Sequence, residues 1–145
     1  MKMKQQSGFT MLEMMVVIVI LGIMATLVVP QIFGQREQAD MQKAVSDITA
    51  LENAMEMYRV QNGIYPTTEQ GLEALVVEPQ SDPRPRNYQT GGYIRRLPAD
   101  PWGFEYRLLS PGQNGRFDIF SVGPDGQPGT QDDIGNWNMH DREEN

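Results

Sequence analysis

The sequence predicts an α+β protein in which the outer half of one long amino-terminal helix packs on a small antiparallel β-sheet. Three observations carry that prediction. An apolar run extends from Phe9 to Val29, an apolar stripe continues beyond it at helical spacing, and two aromatic, β-branched segments near the carboxyl end flank a turn.

The first element runs from Phe9 to Val29, and its only polar residues are Thr10, Glu13 and Thr26. As a helix at 1.5 Å per residue it is about 31 Å long, which matches a hydrocarbon core of roughly 30 Å. A removable signal peptide would want an A-x-A pattern, but Ile23, Met24 and Ala25 precede Thr26, and Glu13 interrupts the apolar region. A buried helix of this length would need a larger body around it than a 145-residue chain offers. Lys2 and Lys4 stand before the run without acidic neighbours, whereas Arg36 beyond it is offset by Glu37 and Asp40. That asymmetry leaves the amino terminus in the cytoplasm and sends the remainder across the membrane.

Glu13 is the residue that a membrane span has to explain, because an ionised carboxylate within hydrocarbon costs about 2.5 kcal/mol or more. The run holds no Lys or Arg to pair with it. A cut between Gly8 and Phe9 would create an ammonium one helical turn before Glu13, able to neutralise it on the same chain or on a neighbouring one. Without such a cut, Glu13 would be a protonated or interfacial residue.

The second element is the stripe Ala39, Met41, Ala44, Val45, Ile48, Leu51, Met55 and Tyr58, which steps mostly by three or four with charged residues opposite. It predicts an amphipathic helix that packs the head, and Asn62-Gly63 supplies its stop. Pro30, at the joint, is compatible with a straight, kinked or unwound backbone. Thr67 followed by Gln70 makes a possible capping box that opens a short second helix at Tyr65–Leu72. Residues 78–92, with Pro79, Pro83, Pro85 and Gly91-Gly92, read as a loop. Phe104–Leu109 and Arg116–Ser121, separated by Ser-Pro-Gly-Gln-Asn-Gly, read as a hairpin. Met139–Asn145 reads as a mobile tail.

Composition narrows the chemistry. The net charge is -7, from 12 basic and 19 acidic residues, and the basic residues are dispersed, so no nucleic-acid footprint is expected. Cysteine is absent, which excludes a disulfide framework and a thiol nucleophile. The one histidine, His140, lies in the polar tail and offers no triad or histidine-rich metal centre. Residues 122–134, V-G-P-D-G-Q-P-G-T-Q-D-D-I, place Asp125, Asp132 and Asp133 in a loop rich in Gly and Pro. Such a loop can turn hard oxygen donors toward Ca²⁺ or remain a solvated acidic turn, and its spacing is not that of an EF-hand. Trp102 and Trp137 read as packing residues.

These segments carry a resemblance. K-M-K-Q-Q-S-G-F-T-M-L-E, from Lys2 to Glu13, resembles the leader of type IV pilins and pseudopilins. The head motifs Y-P-T-T-E-Q-G-L, L-P-A-D-P-W-G and D-I-F-S-V-G-P-D-G resemble those of the major pseudopilins of type II secretion systems. With the leader, the head motifs extend the resemblance over nearly the whole chain. It implies a pilin-like fold, a structural role and no enzymatic activity. It also implies residues 1–8 as a cleaved basic leader, 9–29 as a transmembrane and assembly helix, 30–62 as the amphipathic continuation, 63–138 as a periplasmic head and 139–145 as the tail. Carried over, Gly8 precedes the peptidase cut, Phe9 becomes the N-methylated terminus, and Glu13 pairs with a neighbouring subunit during assembly. The same resemblance implies calcium in the aspartate loop, with Asp125, Asp132 and Asp133 as side-chain ligands and Val122 and Gln127 as carbonyl donors.

The implied function is a homopolymer, the periplasmic pseudopilus, which drives folded proteins across the outer membrane. Its implied partners are minor pseudopilins, prepilin peptidase, an inner-membrane assembly platform and inner-membrane lipid. Two other readings remain open on the residues: an adhesive or motility type IV pilin, and a membrane-anchored calcium-binding or hydrolytic domain that never assembles. Type IV adhesive pilins commonly carry a carboxyl-terminal cysteine pair that this chain lacks.

Overall fold

The computed structural model describes residues 8–143, with the side chains of 27–33 and 142–143 outside the description. Lys2 and Lys4 therefore lie outside the described residues. Helix α1 spans Met11–Asn62, and the chain divides within it into two compact units, residues 1–38 and 39–145.

In the first unit, α1 begins where Thr10 caps it: the Glu13 amide donates to Thr10 Oγ1 at 3.2 Å and the Met14 amide to the Thr10 carbonyl at 3.2 Å. Residues 8–10 are not helical. From Phe9 to Met24 the large apolar side chains are exposed, Phe9 at 79% and Leu21 at 60%. The side chains of this apolar helix are described as far as Thr26, about 22 Å from Met11 at 1.5 Å per residue. Among the described residues no helix is long and apolar enough to cross a membrane. The last three residues of the expected span, Leu27, Val28 and Val29, are among those whose side chains are not described.

The second unit is built on the remainder of α1. Ala44, Val45, Ile48, Leu51, Met55 and Tyr58 are buried as the stripe predicts, Ala54 joins them, and Met41 packs at the margin of this core. Ala39 is exposed. The helix stops at Asn62 because Gly63 takes φ 77°, which glycine adopts without Cβ strain, and donates its amide to the Arg59 carbonyl at 2.7 Å. The buried Asn62 side chain then holds the next loops: its Nδ2 donates to Tyr58 O and Tyr93 Oη, and its Oδ1 accepts from the Asn87 amide.

The capping box forms as expected, with Thr67 Oγ1 accepting from the Gln70 amide and Gln70 Oε1 accepting from the Thr67 amide. It does not open an α-helix. One turn closes through the Gly71 amide on the Thr67 carbonyl, and Gly71 then swings to φ 65°, so that only a single 3₁₀ turn, Leu72–Leu75, follows. Its residues Leu72, Ala74 and Leu75 are buried against the helix.

The sheet has three antiparallel strands in sequence order: β1 Arg107–Leu109, β2 Asp118–Ser121 and β3 Ile134–Gly135. The predicted hairpin is β1–β2, in register Leu108 to Ile119 and Arg107 to Phe120. Strand β3, two residues long, is too short to show a period in sequence, and it pairs through Ser121 to Ile134. Leu108 and Ile119 face the helix, while Phe120 on the other face meets the Trp137 ring at 5.8 Å. Asp118, 1% exposed, secures the hairpin turn by accepting from the Gln113 and Asn114 amides and from Asn114 Nδ2. The expected free tail is corrected at its start: helix α2 spans Met139–Glu143 and Met139 is buried in the core.

Tyr58, Tyr88 and Tyr93 form an aromatic group at the end of α1, with ring centroids 5.2 to 6.2 Å apart. Burial, and then the neighbouring tyrosines and Glu78, push the Tyr58 phenol from 10.0 to about 12, and among the described residues the Tyr58 hydroxyl has no hydrogen-bond partner. Burial, followed by the bond to Asp47, also raises Tyr106. A phenol whose folded pKa lies above its unfolded value stabilises fully below the unfolded value and loses that contribution as pH rises through the folded one. The head should therefore lose stability between pH 10 and about 12. Tyr58→Phe should move that transition upward and, by removing an unsatisfied buried hydroxyl, add roughly 1 kcal/mol at neutral pH. Thermal melting of both chains as a function of pH measures this, and an unchanged alkaline limb would refute it.

Candidate functional site

Two regions carry the residues singled out in the sequence, one in each unit. In the first unit Gly8, Phe9 and Glu13 are exposed, and a Cβ placed on Gly8 would meet nothing within 4 Å. The Gly8–Phe9 bond precedes the helix in non-helical backbone. Glu13 sits in the first turn of α1 and is the acidic residue there. A carboxylate at this end interacts favourably with the helix dipole. An apolar helical surface of this extent, exposed to water in the isolated chain, is stable only against lipid or other apolar helices.

In the second unit the loop 122–134 joins β2 to β3 and folds on its own amides. Val122 is 1% exposed. Asp125 is exposed and its Oδ1 accepts from the Gln127 amide at 2.9 Å, closing an Asx turn. The Gln127 carbonyl accepts from the Thr130 hydroxyl. Asp133 is buried, its Oδ2 accepting from the Gly129 amide at 2.7 Å and its carbonyl accepting from Asn138 Nδ2. Asp132 is half-buried, and its carbonyl lies where a Cβ on Gly123 would stand, so glycine at φ 68° is required for the two ends of the loop to approach.

The donor chemistry suits a hard cation, since carboxylate and carbonyl oxygens are what Ca²⁺ takes. The loop itself contains no Lys, Arg or His to offset its three aspartates. The arrangement is less complete: among the described residues, no three His, Asp or Glu side chains gather closely enough to hold a metal. Asp125 and Asp133 are instead engaged with loop amides.

Three residues that organise this loop were not singled out from sequence. Asp100 is 4% exposed, with Oδ1 accepting from the Trp102 and Phe104 amides and Oδ2 from the Ser121 hydroxyl. Asn136 ties the segment after β3 to α1 and β2, donating to Glu52 Oε1 and Phe117 O while accepting from the Ile119 amide. Asn138 binds both Asp133 O and the Gly135 amide. The Asp-Pro-Trp-Gly turn around Asp100 carries a readable signal, because aspartate before proline with glycine two positions beyond it favours a tight turn. Nothing local in sequence shows that its carboxylate reaches Ser121. Of the two tryptophans, Trp102 packs on the core and Trp137 lays its ring over Gly135.

The Phe104 ring covers Gly126, where an added Cβ would come within 2.7 Å of Phe104 Cζ, and Gly126 has φ 69°. Gly126→Ala should therefore destabilise the head by roughly 1 to 3 kcal/mol through backbone strain and displacement of that ring. A melting temperature equal to that of the parent chain would contradict this account of the loop.

Comparison with known proteins agrees with these features. Residues 31–137 match the family described as "Type II secretion system (T2SS), protein G", and residues 3–29 match the "Prokaryotic N-terminal methylation motif". The chain is 65% identical over 141 residues to "Type II secretion system core protein G" of Aeromonas hydrophila, covering 97% of this chain and 99% of that one. It is 61% identical to the protein of the same description from Vibrio cholerae, with 97% of each chain covered. The crystal structure of the major pseudopilin from the type 2 secretion system of enterohaemorrhagic Escherichia coli is similar, with a TM-score of 0.70 and 61% identity, covering 76% of this chain and 96% of that chain.

Proposed function

The chain belongs to the type II secretion system protein G family, the major pseudopilins that form the pseudopilus, and from that premise we propose how its two units divide the work. The family is structural rather than enzymatic, which sets aside a hydrolytic role. A major pseudopilin also replaces the readings as an adhesive pilin and as a domain that never assembles.

The observation that carries the proposal is the exposed apolar helix of the first unit with one carboxylate in its first turn. Subunits wait in the bacterial inner membrane as single-pass proteins, with the amino terminus cytoplasmic and the head periplasmic. Prepilin peptidase hydrolyses the Gly8–Phe9 peptide bond, which frees the Phe9 amine, and N-methylation of that amine leaves it basic. Glu13 then gains a cation on a neighbouring subunit, offsetting a desolvation cost of about 2.5 kcal/mol or more on translocon-type scales. The apolar faces pack against one another in the filament, and an inner-membrane assembly platform extends it beneath minor pseudopilins. Growth of the pseudopilus drives folded proteins through the outer membrane.

Glu13→Ala removes the carboxylate and leaves the apolar surface in place. It should abolish crosslinks between subunits and reduce export of secreted enzymes at least tenfold, while the head melts as before. Normal crosslinking together with normal export would sink the assembly role of Glu13.

For the head, we propose that the loop 122–134 takes Ca²⁺, with Asp125, Asp132 and Asp133 as side-chain ligands and the Val122 and Gln127 carbonyls completing the set. The ion supplies charge compensation and a cross-link in a chain without disulfides. Support comes from the all-oxygen donor set and the absence of a basic residue within the loop. At a calcium concentration 100 times the Kd, binding should stabilise the head by about 2.7 kcal/mol. The gain should be reversed by chelator and lost in Asp132→Asn. Melting and protease resistance that ignore calcium would overturn the proposal.

A further inference from the structure

Asp100 lies outside the loop 122–134 and outside its proposed ligand set, yet it reaches both the entry of that loop and its cover. We infer that Asp100 is the positioning residue of the loop, acting through Ser121, and that it sets the loop's readiness for a hard cation. The cation clause rests on the calcium reading above; the positioning of the loop does not.

The geometry runs in two arms from one carboxylate. On the first arm, the Ser121 hydroxyl donates to Asp100 Oδ2 at 2.5 Å, and Ser121 is fully buried. With its proton committed in that direction, Ser121 Oγ presents its lone pairs elsewhere and accepts from the Gly123 amide at 3.0 Å. Gly123 is where the loop turns, at φ 68°, with the Asp132 carbonyl returning alongside it. The entry and return of the loop thus meet at a residue whose amide is oriented from Asp100.

On the second arm, Asp100 Oδ1 accepts from the Phe104 amide at 2.7 Å and from the Trp102 amide at 3.1 Å. That fixes the backbone from which the Phe104 ring lies over Gly126, in the middle of the loop. A charged acceptor suits the position because three donors converge on two oxygens in a buried place, and hydrogen bonds to an ionised acceptor are the stronger kind. An amide cannot reproduce this. Its NH₂ would meet the Ser121 hydroxyl as a second donor and turn that proton away, leaving Ser121 Oγ to serve two donors at once.

The test uses the full chain in detergent micelles and follows hydrogen exchange across the head, first in chelator and then through a calcium titration. The variants are Asp100→Asn and Ser121→Ala. In chelator, residues 122–134 should exchange roughly tenfold faster in both variants, the effect of losing one buried hydrogen bond. The amides of β1 and β2 should keep their parent rates. The calcium midpoint of loop protection should rise by about the same factor. Loop exchange at the parent rate in both variants overturns the inference. So does an increase spread evenly over the head, which would mark a general packing role.

A parent chain whose loop ignores calcium overturns the calcium reading and the cation clause with it, while the rates in chelator still decide the positioning role. If Asp100→Asn does not fold, Ser121→Ala decides, because removing that hydroxyl leaves the hold of Asp100 on Trp102 and Phe104 intact.

Discussion

The head depends on burial of one face of α1. Its three strands hold three, four and two residues, and a sheet of that size cannot bury enough apolar surface to offset its own ordering entropy. Ala44, Ile48, Leu51, Met55 and Tyr58 provide the missing wall, and Leu72, Leu75, Leu108, Ile119, Ile134 and Met139 converge on it from every later segment. Each of those segments is short or irregular, so the helix stripe is the common partner that gives them a shared interior. Removing one large side chain from that face would cost about 2 to 5 kcal/mol, a substantial part of the stability of a small domain.

Much of the chain after Asn62 is irregular, and it contains no cysteine. Its order comes from a few buried polar side chains, each bonded to backbone groups from different segments. Asn62 holds the 87–93 region, Gln70 reaches Ser81 and Pro83, Asp118 secures the hairpin turn, and Asn136 joins α1 to β2. Buried backbone amides must find acceptors, and where strands are too short to supply them these side chains do. Charge on Asp100 and Asp118 strengthens their share, since each accepts three donors.

The first unit follows the opposite logic. Its described large apolar side chains from Phe9 to Met24 are exposed all around the helix, a surface of the kind that lipid or other apolar helices cover. A single carboxylate in that surface is expensive when alone and favourable when paired, so under the proposed assembly it would couple extraction from the membrane to contact with a neighbour.

The sequence by itself determined whatever depends on local pattern. The apolar run and the stripe predicted α1 and most of its buried positions, Ala39 and Ala54 apart, Asn62-Gly63 marked its end, Thr67 and Gln70 announced their reciprocal cap, and the turn between aromatic segments predicted β1 and β2. These signals are legible because each rests on spacing within a few residues. The leader pattern is equally local, with Gly8, Phe9 and Glu13 within a few residues of one another, whereas the partner of Glu13 belongs to the proposal. The tertiary structure decided the rest. Gly71 converts the expected second helix into a 3₁₀ turn, the two residues of β3 find β2 across the aspartate loop, Met139 enters the core from a segment expected to be a tail, and Asp100 meets Ser121. These outcomes depend on contacts between residues far apart in sequence, where hydrogen bonding and burial, not propensity, set the free energy, and no local period records them.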